Sequence, residues 1–122
     1  DTWRKYESNL PSEFGEFESI YRSLLEDARR ENPDIKIIIM EPFVLHVSEE
    51  RESWSEDLDP RIQAVRRVAK DYADAFIPLD GLLNAAAIDT CPEQWAPDGV
   101  HPSPDGAALI ARYWLEAFDK IL

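Results

Sequence analysis

The sequence predicts an α/β domain built on a parallel sheet, and three observations carry that prediction. Two short runs, residues 35–40 and 75–79, are rich in Ile, Phe and Leu and apolar on both faces, as strands covered by helices on either side are. Amphipathic stretches with helical period lie before, between and after them. The resulting order is helix, strand, helix, strand, short helix, loop, helix, the alternation of a layered α/β architecture with right-handed crossovers.

Each element has its own justification. Residues 1–10 are polar with two aromatics, Trp3 and Tyr6, and read as a loop. Ser12, after Pro11, is the expected N-cap of a first helix. Phe14, Phe17, Tyr21, Leu24 and Ala28 recur at three- and four-residue spacing, with Ile20 and Leu25 beside them. Glu13 and Glu16 near its start and Arg29 and Arg30 near its end suit the helix dipole, and Asn32-Pro33 stops it. Ile35-Lys36-Ile37-Ile38-Ile39-Met40 is the first buried strand, ended by Glu41-Pro42-Phe43. Residues 44–57 form a long polar loop with His46 and Trp54, and a loop of that length tends to be functional. Asp59-Pro60 is expected to open the next helix as N-cap and first residue, with Ile62, Val65, Val68, Ala69 and Tyr72 as its apolar stripe. Ala75-Phe76-Ile77-Pro78-Leu79 is the second strand, and Asp80 is expected to cap a short helix over residues 81–88. Ser103 as N-cap and Pro104 as first residue start the last helix. Its stripe of Ile110, Tyr113, Trp114, Ala117, Phe118 and Ile121 reads as core.

A chain of 122 residues is at most one domain, residues 1–122. It is long enough to bury roughly two-thirds of its unfolded surface. Two strands are nevertheless few for a parallel sheet, which typically has about five. The chain therefore reads as the second part of a larger doubly wound domain. Either the first part lies outside this sequence or another chain supplies its strands. Exposed sheet edges and an uncovered apolar face make association, with another copy or with such a part, the expected behaviour.

Net charge of −12 argues against nucleic acid, whose binding rests on Lys and Arg neutralising phosphates, and against anionic membranes. Solubility is the simpler meaning of the acidity. Cys91 is the single cysteine, so an internal disulfide and a cysteine-based metal site are ruled out. Neither a signal peptide nor an apolar run of membrane-spanning length is visible, and a cytoplasmic location is the default expectation. The chain starts at Asp1 without an initiator Met, so a processed or partial chain, with a leader removed, fits as well.

The chemistry concentrates in Trp95-Ala96-Pro97-Asp98-Gly99-Val100-His101-Pro102-Ser103-Pro104-Asp105-Gly106. This stretch is too rich in Pro and Gly for helix or strand, and it sets a carboxylate and an imidazole three residues apart. In an open α/β sheet, ligands bind beyond the carboxyl ends of the strands, and this loop and the one after Met40 both lie on that side. Asp98 could accept the Nδ1–H of His101, leaving Nε2 to the cleft as general base. The competing reading is structural: Asp-Gly is a common turn dipeptide, and His101 would be an ordinary loop histidine.

Asp98-Gly99-Val100-His101-Pro102, followed by Ser103-Pro104-Asp105-Gly106 and a helix with Ala108-Leu109-Ile110-Ala111 and Trp114, resembles the last block of the SGNH, or GDSL-type, esterases and lipases. The first strand ending in Glu41-Pro42-Phe43, Asp59-Pro60-Arg61, and Phe76 to Asp80 are similar to the middle of bacterial members. Asp1-Thr2-Trp3 resembles the residues just after the oxyanion-hole Asn in the family's Gly-x-Asn-Asp block. The resemblance spans the whole chain but only the C-terminal portion of the family's domain. It implies a flavodoxin-like three-layer fold, of which this chain holds two strands and about four helices. It implies serine-dependent hydrolysis of a small-molecule ester, with His101 and Asp98 as base and acid of a Ser-His-Asp triad and without a cofactor. The Gly-Asp-Ser block and the oxyanion-hole Gly and Asn are absent from these residues, and none of the serines present stands in such a context. The expectation is thus a chain inactive by itself. The rival reading is a non-catalytic α/β piece that acts by association.

Other residues read more plainly. His46 with one further His and one Cys falls short of a zinc site and reads as a loop histidine. Glu41 at a strand end could be functional but more simply caps a helix or bonds a loop. Trp54 and Trp95 could line a pocket but more simply cover the edge of the core. Glu49-Glu50-Arg51-Glu52 reads as a solvated face, and Cys91 as inert.

Overall fold

The computed structural model describes residues 2–7 and 14–122. The elements, in order, are α1 (Thr2–Glu7), α2 (Phe14–Glu31), β1 (Ile38–Met40), α3 (Glu49–Ser53), α4 (Ser55–Tyr72), β2 (Ala75–Ile77), α5 (Leu79–Asp89), α6 (Pro92–Trp95) and α7 (Pro104–Ile121). β1 and β2 pair in parallel, with Ile38 opposite Ala75 and Met40 opposite Ile77. The chain is an α/β fold with helices on both faces of that sheet.

The alternation of side chains along the strands divides the core in two. Ile37 and Ile39 pack with Val65, Val68 and Ala69 of α4, and Phe17, Tyr21 and Leu25 of α2 close over them. Ile38, Ala75 and Ile77 face the other way, onto Leu109, Ile110, Tyr113 and Ala117 of α7 and Leu79 and Leu83 of α5. A third cluster of Val44, Trp54, Leu58 and Ile62, with Tyr6 and Val100 against it, sits beyond the carboxyl ends of the strands.

Both strands are shorter than the apolar runs suggest. Asp74 Oδ2 accepts the amide of Ile37 at 2.8 Å, and the Ile37 carbonyl accepts the amide of Asp74, so the ladder starts only at Ile38. Pro78 ends β2 because it has no N–H to give, and the next helix takes up Leu79. The runs are also not buried throughout: Met40 and Phe76 are exposed.

Four further expectations are corrected. Residues 2–7 are helix, held by Thr2 and Lys5 on Asp57 of α4, at 2.7 and 3.5 Å. The stretch over residues 44–57 is not an unstructured loop. Ser48 caps α3 by accepting the Arg51 amide, and Trp54, itself in helical conformation, leads straight into α4. Asp59-Pro60 therefore does not open that helix. Pro60 lies inside it, as the sixth residue, where its missing N–H leaves the Glu56 carbonyl without the usual helical donor. Asp80 is not the cap of α5, which begins one residue earlier after Pro78. Its carboxylate instead accepts the Val44 amide at 3.2 Å and Asn84 Nδ2 at 3.2 Å, tying the loop after β1 to α5.

Ser103 does cap α7, accepting the Gly106 amide at 3.0 Å, with Pro104 as first residue. The stripe of α7 is only partly core. Ala117 is buried and Tyr113 half-buried, but Trp114 and Phe118 stack on each other at 5.1 Å on the outside. Ser12, the expected cap of α2, lies outside the described residues. Among the described residues there are seven helices rather than about four; the additional ones, α1, α3 and α6, are short. None of the described helices is long and apolar enough to cross a membrane.

Candidate active site

The stretch from Trp95 to Gly106 runs past the carboxyl ends of both strands. Trp95 belongs to α6, so the irregular segment begins after it. Its path is set by main-chain bonds: the Ser103 amide donates to the Trp95 carbonyl at 2.9 Å and the Gly99 amide to the Ala96 carbonyl at 2.9 Å. Gly106 is needed where it stands, since a Cβ there would lie 2.0 Å from the Trp95 carbonyl oxygen.

The turn carrying Asp98 and His101 is built by Asp98 itself. Its Oδ1 accepts the amides of Val100 and His101 at 2.9 and 2.8 Å, closing an Asx-type turn. Its Oδ2 is thereby aimed at His101 Nδ1, 2.6 Å away. Gly99 between them has φ +89°, and a Cβ would come within 2.6 Å of the Leu45 carbonyl oxygen. The Leu45 amide in turn donates to the Gly99 carbonyl at 2.8 Å, pinning the turn to the loop after β1. Burial would raise the Asp98 carboxyl. The hydrogen bonds from the His101 ring and from the two amides outweigh it and bring the group down to about 2. Asp98 is thus an anion at neutral pH. It accepts the Nδ1 proton, which leaves Nε2 as the lone-pair nitrogen of the neutral ring. The imidazole is 69% exposed, open to a reacting partner.

Three side chains from elsewhere in the sequence surround this pair. Arg51 of α3 donates from Nε to the Asp98 carbonyl at 2.7 Å. Its guanidinium lies over the Trp54 ring at 4.1 Å and near that of Trp3 at 5.7 Å. Trp3 stands edge-on to His101, ring centroids 5.2 Å apart. Sequence reasoning misses these contacts. By their neighbours Trp3 reads as loop and Arg51 as part of a solvated face, and nothing local marks a pairing across such separations. Trp54 is core and almost wholly buried, while Trp95 is half-buried and donates to Thr90 Oγ1 at 2.9 Å.

Behind Trp3 lies an apolar cavity of about 220 Å³, lined by Trp3, Phe17, Phe43, Trp54, Leu58 and Val100 among others. The remaining candidates fall outside this cluster. His46 is exposed and its Nε2 faces Ser55 Oγ at 3.1 Å. Glu41 is buried and paired with Arg66 Nε at 2.6 Å rather than bonded to a loop. Cys91 is exposed.

A loop-borne Asp–His pair beyond the carboxyl ends of a parallel sheet is the kind of site α/β hydrolases use. The profile of the GDSL-like lipase/acylhydrolase family matches residues 2–109. The chain belongs to that family. An acetylxylan esterase of Geobacillus stearothermophilus is 28% identical over 120 residues, covering 94% of this chain and 53% of the relative. The crystal structure of a Parabacteroides merdae protein described as a GDSL-like lipase superposes with a TM-score of 0.89 at 26% identity, over 98% of this chain and 56% of its own. The acetylxylan esterase structure superposes with a TM-score of 0.75 at 25% identity, over 95% and 53%. The chain thus spans about half the length of the relatives it matches. Structures described as catalytic mutants of that esterase replace a serine, an aspartate and a histidine by alanine. There the aspartate precedes the histidine by three positions, the same separation as between Asp98 and His101.

Proposed function

We propose that the protein is a serine-dependent ester hydrolase in which His101 is the general base and Asp98 the residue that orients and stabilises it. The observation that carries this reading is the 2.6 Å contact between Asp98 Oδ2 and His101 Nδ1, with Nε2 left on an exposed ring. A short acyl or acetyl ester is the substrate class, and the similarity to an acetylxylan esterase favours acetyl esters of sugars.

In this reading the nucleophilic serine and the oxyanion-hole donors are not among these 122 residues. The serine oxygen attacks the ester carbonyl while His101 Nε2 takes its proton. Asp98 stabilises the imidazolium so formed. The imidazolium then protonates the departing alkoxide. Water, deprotonated by the same nitrogen, hydrolyses the acyl-enzyme and restores the serine. These 122 residues alone hold the base without the group it activates. Pure chain is expected to hydrolyse p-nitrophenyl acetate no faster than buffer. Robust turnover abolished by His101→Ala would show that a nucleophile is present after all. In a protein that also carries the serine-bearing portion, His101→Ala is expected to lower kcat by on the order of 10⁴-fold or more. Unchanged turnover there would sink the assignment.

A second reading, a non-catalytic piece acting by association, draws on the outer face of α7. Trp114, Leu115 and Phe118 lie exposed on it, and Trp114 and Leu115 line a shallow groove with Pro102, Ala107 and Ala111. The two readings part on one measurement: a serine-bearing form that is folded and assembled yet hydrolyses no ester supports the second.

A further inference from the structure

Arg51 stands in a charged run, yet its side chain is only 13% exposed. The N-terminus of α3 fixes its place, with Ser48 Oγ accepting the Arg51 amide at 3.2 Å. From there, besides an ion pair with Glu50 at 3.8 Å, the side chain reaches the turn and the two tryptophans. Its stem packs against the turn, with Cγ 3.2 Å from where a Cβ on Gly99 would stand. Its Nε donates to the Asp98 carbonyl at 2.7 Å. Its guanidinium carbon lies over Trp54, a buried ring of the third core cluster, and is nearer to it than to Trp3.

These contacts form a chain of constraints that ends on the imidazole. Trp54 is rigid because it is core, and the stacked guanidinium inherits that rigidity. The Nε–H then fixes the plane of the peptide that joins Asp98 to Gly99. The N–H of the same peptide donates to the Ala96 carbonyl at 2.9 Å, so this peptide is held from both sides, and the Leu45 amide holds the Gly99 carbonyl beyond it. Trp3, beside the guanidinium, closes on His101 edge-on at 5.2 Å and limits its rotation. The Asp98 side chain makes the turn, main-chain bonds to Leu45 and Ala96 anchor it, and Arg51 is the side chain that ties it to Trp54 and Trp3.

We propose that Arg51 is a positioning residue of the Asp98–His101 pair, holding the turn and Trp3 so that the His101 ring keeps its Nδ1–H on Asp98 and its Nε2 free. This rests on the esterase reading for its purpose, but its test does not. The test is the tautomer of His101 in the folded 122-residue chain, read from the ring ¹⁵N shifts at about pH 8.5, above the ordinary imidazole range. His46→Gln serves to assign the signals. Native chain is expected to show a protonated Nδ1 and a bare Nε2 at His101. In Arg51→Ala, with the amide spectrum still dispersed, that preference is expected to fall at least about twofold, toward the Nε2–H form that free imidazole side chains prefer. In Arg51→Lys it is restored only in part, because an ammonium can reach the carbonyl but cannot stack as a plane on Trp54. Should Arg51→Ala fail to fold, Arg51→Lys reads the same quantity.

Ring shifts unchanged in Arg51→Ala, or in Arg51→Lys where that is the variant read, overturn the positioning role and leave the esterase reading intact. Full restoration by lysine overturns the stacked-plane mechanism. A native His101 without the Nδ1–H preference overturns the Asp98–His101 assignment, and the role of Arg51 with it.

Discussion

Asp98 uses its two carboxylate oxygens for separate tasks, Oδ1 for the turn and Oδ2 for the ring. This division makes its titration informative. The carboxyl sits at about 2, below its ordinary value of 3.8. A depressed folded-state value means that the stabilisation is complete above the ordinary carboxylate range and is lost as pH falls from about 4 toward about 2. Side-chain ¹³C titration should therefore place Asp98 near 2 in the native chain. In His101→Ala it should move only part of the way back, since both amides still donate. A full return to the ordinary value would mean that the turn does not survive without the ring. Gly99 is the other residue with a sharp expectation. Gly99→Ala forces a side chain into positive φ against the Leu45 carbonyl and should cost about 1–3 kcal/mol in urea denaturation. The Asp–His pair is legible in the sequence because its geometry is local: three residues of spacing and a glycine suffice. Arg51 and Trp3 are not, because what brings them to the turn is the packing of Trp54, which no spacing encodes.

Between elements, buried polar contacts decide how the helices dock. α1 is fastened to α4 through Asp57, whose carboxylate receives Thr2 Oγ1 at 2.7 Å and Arg61 Nε at 2.9 Å, with Asp57 and Arg61 both almost wholly buried. Burial would raise the Asp57 carboxyl, but the Arg61, Thr2 and Lys5 contacts outweigh it and hold the group below the usual range. Asp57→Ala is expected to destabilise by about 3–5 kcal/mol, measured by urea unfolding, because it removes one half of a buried ion pair. Ser103→Ala, by contrast, removes a cap and should cost about 1 kcal/mol in the same measurement. The Ser103-Pro104 start is readable because capping is a property of a few adjacent residues. The Asp59-Pro60 start misleads for the same reason. It has the right chemistry, but Ser48 and the helical conformation of Trp54 start the segment earlier, so Pro60 falls inside the helix. Asp80 misleads in kind, since a carboxylate next to a strand end can serve a neighbouring loop as readily as its own helix.

Over the whole molecule, the parallel pairing and the layering are readable from the alternation of helices with apolar runs, and the family from the match over residues 2–109. The apolar pattern does not tell which stripes are covered by these residues. Ile110 and Tyr113 pack on the core, whereas Trp114, Leu115 and Phe118 on the same helix stay outside, as do Ile20 and Leu24 on α2. We expect association as a consequence. Size-exclusion chromatography with light scattering should give a mass above that of one chain. Leu115→Glu with Phe118→Glu should return it to one chain if α7 carries the contact; a compact monomer in the native chain would count against the idea.

The anchors of the Asp98–His101 turn, namely Leu45, Arg51, Trp95 and Gly106, all belong to this chain. Asp98 and His101 thus take their relation to each other from residues of this chain. If the proposed esterase reading holds, an enzyme whose serine came on a separate polypeptide would be a switch whose two parts are each silent, one holding a proton acceptor and the other an alcohol. Ester cleavage would then report their meeting, and its rate would measure how firmly two polypeptides are held together.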